Sequence, residues 1–262
     1  MAYFSQVKSY PDLDLFRAIY NGVTPDGKTI ESFSIPCRRT SFSGTTALED
    51  LAQFLTGTTL PTPTGAESWE VVSSSANDTS AGTGTRSVEI HYLDNSWLPQ
   101  TTTVTMNGTT PVSVAALANC RAINWIHTKT VGSGGAAAGN ILLRIAGAGA
   151  THDQITAGGN QSLTGRFTVP DGYFAVVDRW SASCSTNHSQ DVRLRGTVER
   201  DTRDLLSGIF LFQDIIAIDH NSFAKECSPF IFPPRSEIKI STITSNVAAN
   251  VSASFGLYLI EI

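Results

Sequence analysis

The sequence predicts an all-β fold of β-sandwich or jelly-roll type over residues 67–262, behind an N-terminal extension, 1–66, that carries one or two short helices. Two observations predict it. Many short segments alternate apolar and polar residues with the period of two that puts successive side chains on opposite strand faces. These segments are closely spaced and punctuated by Gly, Pro, Asn and Asp, whose turn chemistry reverses the chain. Composition agrees: of 262 residues 41% are apolar and only 16% charged, with Ser, Thr, Asn and Gly filling the gap.

The extension comes first. Pro11, the acids Asp12 and Asp14, and Gly22 bracket a short helix whose apolar residues Leu13, Phe16, Ile19 and Tyr20 must dock on something. Thr46 and Glu49 have the spacing of a capping box, and Leu48, Leu51, Ala52 and Leu55 form a helical stripe ending at Gly57. Between the two lies a short extended piece, Phe33 to Pro36. Pro61 and Pro63 then exclude helix and central strand, so 1–66 is expected to be an arm or linking segment.

The strands follow. Val88, Ile90 and Tyr92 point one way, and Ser87, Glu89 and His91 the other. Val104 and Met106 share a face among threonines, whose branched Cβ suits a pleated surface. Asp94-Asn95-Ser96 and Asn107-Gly108 supply turns, and 73–85 reads as a long surface loop. Further strands are expected over 122–130, 141–145, 173–177, 192–198, 205–218, 238–243 and 251–259, with Pro170-Asp171-Gly172 as a tight turn. The glycine-rich stretch 132–140 is expected to be a flexible loop. One sandwich or two, dividing near 113–121, are both compatible with this pattern.

Net charge is −5, so nothing general draws the chain to nucleic acid. No apolar run approaches the ~18 residues of a membrane helix, and the first residues do not read as a secretory signal. Cys37, Cys120, Cys184 and Cys227 lie far apart and are expected to be separate buried thiols, with one disulfide as the alternative. The five Asn-x-Ser/Thr sequons are expected by chance in so Ser- and Thr-rich a chain.

Candidate chemistry is sparse. The stretch 132–139 lacks the Lys and Ser/Thr of a phosphate loop, and His152 stands where Gly147-Ala148-Gly149 would need a third glycine. The five histidines show no helical metal-ligand spacing; His152-Asp153 and Asp219-His220 are read as structural or solvated. The densest charge cluster sets Asp191, Glu199, Asp201 and Asp204 against Arg193, Arg195, Arg200 and Arg203. Paired carboxylates can hydrolyse glycosides, but interleaved signs favour ion pairs, with Arg193 and Arg195 on one strand face. Trp97, Trp125 and Trp180 are candidate platforms for carbohydrate. No catalytic residue, cofactor or metal site is assigned.

Several stretches together resemble tailed-bacteriophage virion structural proteins, those of cyanophages in particular. They are SANDTSAGTGTR (75–86), VEIHYLD (88–94), VTMNGTTPV (104–112), GSGGAAAGNI (132–141), FTVPDGYFAVVDRWSASCS (167–185), PFIFPPRSEIKI (229–240) and SASFGLYLI (252–260). The resemblance covers about residues 68–262 and carries no catalytic motif. It implies a non-enzymatic virion protein made in the bacterial cytoplasm and assembled on the particle, with capsid cement or decoration as the expected role. The expected partners are the major capsid protein or other virion proteins and further copies of the chain, a homotrimer being favoured, with neither nucleic acid nor membrane. A tail, neck or fibre component recognising host-surface carbohydrate is the alternative, and a depolymerase a third expectation. Removing 1–22 is expected to weaken attachment without unfolding the β region.

Overall fold

Alternation and turn chemistry produce sixteen strands and one 3₁₀ turn in the computed structural model, which describes residues 18, 21–24, 26–40, 47–185, 190–197, 210–218, 222–244 and 250–262. In chain order they are β1 (Ile30–Arg39), β2 (Glu49–Asp50), β3 (Trp69–Ser73), β4 (Thr85–Leu93), β5 (Pro99–Thr105), β6 (Val112–Ser113) and β7 (Ala122–Val131). There follow β8 (Ile141–Ile145), β9 (Thr151–Ile155), β10 (Arg166–Thr168), β11 (Tyr173–Cys184) and β12 (Gln190–Thr197). Last come β13 (Phe210–Ile218), β14 (Ser222–Phe232), β15 (Glu237–Thr244) and β16 (Val251–Glu261). The all-β class is as expected. All paired strands are antiparallel.

Two sandwiches result, because two pairs of sheets each bury their inner faces in a separate cluster. The first pairs the sheet β6-β3-β8-β9 with the sheet β5-β4-β7. Trp69, Val71, Ile141 and Leu143 from one meet Val88, Ile90, Val104 and Ile126 from the other. The second pairs β1-β16-β11-β14 with β10-β15-β12-β13, to which β2 adds on β15. Its core joins Ile35, Trp180, Phe255 and Leu257 to Phe167, Val192, Leu194 and Ile240. The first and last described strands, β1 and β16, thus lie in the second sandwich, and the first sandwich is inserted between β2 and β10.

That topology changes the place of two stretches expected in the arm. Residues 30–39 form an edge strand, paired with β16 from Ile30↔Ile260 to Arg39↔Val251. Pro36 is tolerated because an edge strand needs no donor on its open side. The expected helix from Thr46 does not form. Glu49 and Asp50 pair with Thr242 and Ser241, and Leu51 donates its N–H to the Ile240 carbonyl at 3.0 Å. Glu49 binds Arg39 at 2.8 Å instead of capping a helix, and the stripe residues Leu51 and Ala52 are fully buried. A helical stripe and a short buried strand both place apolar residues close in sequence, and tertiary pairing decided between them. Of the earlier expected helix, Ala18 and Asn21 are helical and Ala18 is buried; Leu13, Phe16, Ile19 and Tyr20 lie outside the described residues. Residues 113–121 run inside the first sandwich, where Val114, Leu117 and Cys120 are core.

Where the sandwiches meet, polar groups are paired rather than exposed. Asn124 of β7 makes a two-way clasp with the Thr168 backbone of β10, at 3.1 and 2.8 Å. The Arg166 guanidinium donates to the carbonyls of Ile123, Pro61 and His152 at 3.2, 2.8 and 3.3 Å. Three carbonyls on one planar fork fix an orientation that a single contact would leave free.

Candidate functional site

The outer face of the β5-β4-β7 sheet gathers Glu89, His91 and His127 into one cluster of potential ligand atoms. Alternation along β4 turns Glu89 and His91 outward as Val88 and Ile90 turn into the core. Register does the rest: Glu89 lies opposite Thr103 on one side and His127 on the other, and His91 opposite Thr101 and Trp125. Glu89 Oε1 lies 3.3 Å from His91 Nε2 and 3.7 Å from His127 Nε2. Lys129 Nζ binds the other oxygen of Glu89 and donates to Thr103 Oγ1 at 3.1 Å. That hydrogen bond from Lys129 holds Glu89 below the usual carboxylate range. Burial pushes His91 below the usual imidazole value, and His127 beside it adds to the effect, so the neutral ring is favoured.

The face continues into the second sandwich as a stack of rings. His91 stacks on His127 at 5.2 Å and on Trp125 at 4.3 Å. Trp125 lies parallel to Phe167 at 6.2 Å and tilted to Phe33 at 5.3 Å. Ring pairs at such separations add to area burial. Trp125 is therefore a joint residue, half-buried between the units.

The other expected aromatic platforms are not on the surface. Trp97 and Trp180 are 8% and 2% exposed, and Trp180 donates its indole N–H to Asp214 at 3.0 Å. Of the charge cluster, Asp191 is open to solvent and pairs with Arg193 at 3.6 Å, while Arg195 turns to Asp50 at 3.3 Å. Arg193 and Arg195 do share a face, with Val192 and Leu194 buried beneath them. Glu199, Arg200, Asp201, Arg203 and Asp204 lie outside the described residues, as do Asp219 and His220.

Cys37, Cys120 and Cys184 are free thiols, and burial pushes the first two up to about 12, which leaves them protonated and inert. A groove of about 220 Å³ between Thr102–Thr105 and Val112–Ala116 has no titratable side chain in its lining.

Two acids that the sequence did not single out organise the molecule. Asp78, fully buried within the 73–85 loop, accepts from the N–H groups of Thr85, Ala138 and Gly139 at 2.7, 2.9 and 2.9 Å and from the Ser73 hydroxyl. It therefore binds the glycine-rich stretch 132–140 down. The close approach needs glycine, since a Cβ on Gly84 would stand 2.1 Å from the Asp78 carboxylate. Asp50 accepts from Lys239, Arg195, Ser241 and the Leu60 N–H at 3.0, 3.3, 2.7 and 3.0 Å. A buried carboxylate surrounded by donors was not legible because its partners stand up to 191 residues away.

No family model matches the sequence, and no curated protein matches it. Among solved structures, a crystal structure of the infectious bursal disease virus VP2 subviral particle is 13% identical, with 94% of this chain and 77% of that chain covered and a TM-score of 0.21. A structure of the infectious bursal disease virus Gt strain is 11% identical, with coverages of 94% and 82% and a TM-score of 0.15. Both likenesses are weak, and at these TM-scores neither carries an argument.

Proposed function

We propose that this chain is a non-enzymatic virion structural protein, a capsid cement or decoration protein that stabilises a shell through contacts between subunits. The observation that supports it best is where the aromatic and charged side chains go. Trp69, Trp97 and Trp180 are buried, and Asp50, Lys239, Arg166 and Asp78 are used up in holding sheets and loops together. Two stiff sandwiches locked at their joint offer large lateral faces, which is what covering a seam between subunits requires. The resemblance of 68–262 to tailed-bacteriophage virion proteins points the same way. In this reading the partners are the major capsid protein and further copies of the chain, three around a symmetry axis, and the protein resides in the virion.

Host-glycan recognition through tryptophan platforms ranks behind it, because Trp97 and Trp180 would first have to leave the core. Copy number per particle, measured by quantitative mass spectrometry against the major capsid protein, separates the two. A count on the order of hundreds is expected, since only a repeated lattice offers that many sites. About a dozen or fewer would move the role to neck, tail or fibre. Deleting residues 1–17, which spares the buried Ala18, is expected to weaken particle attachment while the thermal transition stays in place. Loss of folding on that deletion would overturn the arm.

A further inference from the structure

We propose that Glu89, His91 and His127 form a binding site for one divalent transition-metal ion of the zinc class on the outer face of β4 and β7. Ligand identity comes first. Two imidazoles and a carboxylate are a donor set that suits Zn²⁺, Cu²⁺ or Ni²⁺, whereas Mg²⁺ and Ca²⁺ prefer oxygen alone.

Geometry comes second. The three donor atoms lie within 4.8 Å of one another. Ligand atoms around a tetrahedral zinc, at bond lengths of ~2.0–2.1 Å, stand about 3.4 Å apart. The Glu89–His91 and Glu89–His127 separations of 3.3 and 3.7 Å bracket that value. Little side-chain movement is needed to close on a shared ion.

Support comes third. All three ligands stand on the backbone of two paired strands, Glu89 directly opposite His127, so no loop has to order. Trp125 backs the His91 ring at 4.3 Å and fixes its plane. His91 Nε2 is shut off from water and makes no hydrogen bond; its 3.3 Å approach to Glu89 is not aligned as one. A buried ring nitrogen without a well-aligned hydrogen-bond partner is an incomplete arrangement that a metal ion completes when the ring carries its proton on Nδ1.

Charge and access come fourth. Lys129 holds one Glu89 oxygen and leaves the other facing the histidines. Its side chain is 48% exposed, so it can withdraw as a cation enters. His127 lies toward solvent, 34% exposed, which leaves an open coordination position for water or for a ligand from another chain.

The test is equilibrium dialysis of the tag-free full chain, first stripped with chelator, against Zn²⁺ and separately Mg²⁺. One Zn²⁺ per chain and no Mg²⁺ are expected, with a Zn²⁺-dependent rise in Tm. His127→Gln, at a partly exposed position, is expected to melt like the parent in chelator and to weaken Zn²⁺ binding by at least the ~10–100-fold that loss of a supporting contact costs. Glu89→Gln is expected to weaken it too. Absence of stoichiometric Zn²⁺, equal uptake of Mg²⁺, or unchanged affinity in His127→Gln would each overturn the site.

Discussion

The two sandwiches share an architecture and differ in how the chain builds them. The first is contiguous: β3 to β9 follow one another within residues 69–155, and its long loops are tied by hydrogen bonds from neutral groups to Asp78. The second is assembled from segments at opposite ends of the chain, and it buries charge at the place where they join. Asp50 with Lys239 and Arg195, and Glu49 with Arg39, cross from the β1–β2 region to β12 and β15 or lock it internally. The difference has an energetic reason. Joining distant segments costs more loop-closure entropy, and a satisfied buried ion pair makes the wrong register costly because it would strand a charge.

The largest test of that contrast removes Asp50. Asp50→Ala removes the buried carboxylate that Lys239, Arg195, Ser241 and the Leu60 N–H all share and is expected to destabilise the second sandwich by about 3–5 kcal/mol in chemical denaturation. A separate, unshifted transition from the first sandwich would show that the contiguous unit stands alone. A single shifted transition would show that the Asn124 and Arg166 contacts make one cooperative body.

Asp78→Ala addresses the other unit. It leaves three backbone N–H groups without their acceptor, and the expected loss is about 3 kcal/mol. Amide hydrogen exchange should rise at Thr85, Ala138 and Gly139 and remain unchanged in β12 and β15. Faster exchange throughout the second sandwich would contradict the division of labour.

The smallest expected effect lies near the boundary between the units. Burial lowers His152 to about 4, with Arg166 adding to the effect and Glu67 opposing it, and burial raises Asp153 to about 6. The lowered His152 contributes stability that is present above its ordinary value and lost as pH falls through about 4. The raised Asp153 contributes stability that is present below its ordinary value and lost as pH rises through about 6. The two trends oppose each other between these values, so the parent protein should be nearly flat there. Asp153→Asn keeps an acceptor for Thr164 and Gln154 but removes one trend. Its stability should fall by on the order of 2 kcal/mol as pH drops across that window, measured by urea unfolding. An equally flat variant would remove Asp153 from the balance.

How much of this could be read from the chain follows the same contrast. The inward set Val88, Ile90 and Tyr92, and the outward pair Glu89 and His91, were legible because strand alternation is local. Their partner His127 was not, since register between strands tens of residues apart leaves no mark in either one. In the sequence β14 was obscured by Lys225, Glu226 and Pro229; the strand stands at the edge of its sheet, where a proline is tolerated. β2 is two residues long, too short to show a period, and its Thr46–Glu49 spacing mimicked a helix start. The Trp positions were visible as residues, but their burial depended on sheets not yet assembled.

The ladder between β1 and β16 also sets how the molecule would respond to tension. Ile30 is paired with Ile260, so a load entering at residue 30 and leaving at residue 262 arrives at one end of an antiparallel ribbon. Such a ribbon unzips, breaking its cross-links one after another at low force instead of shearing them together. The inserted sandwich lies outside that line of strain and would remain mechanically silent while β1 peeled away.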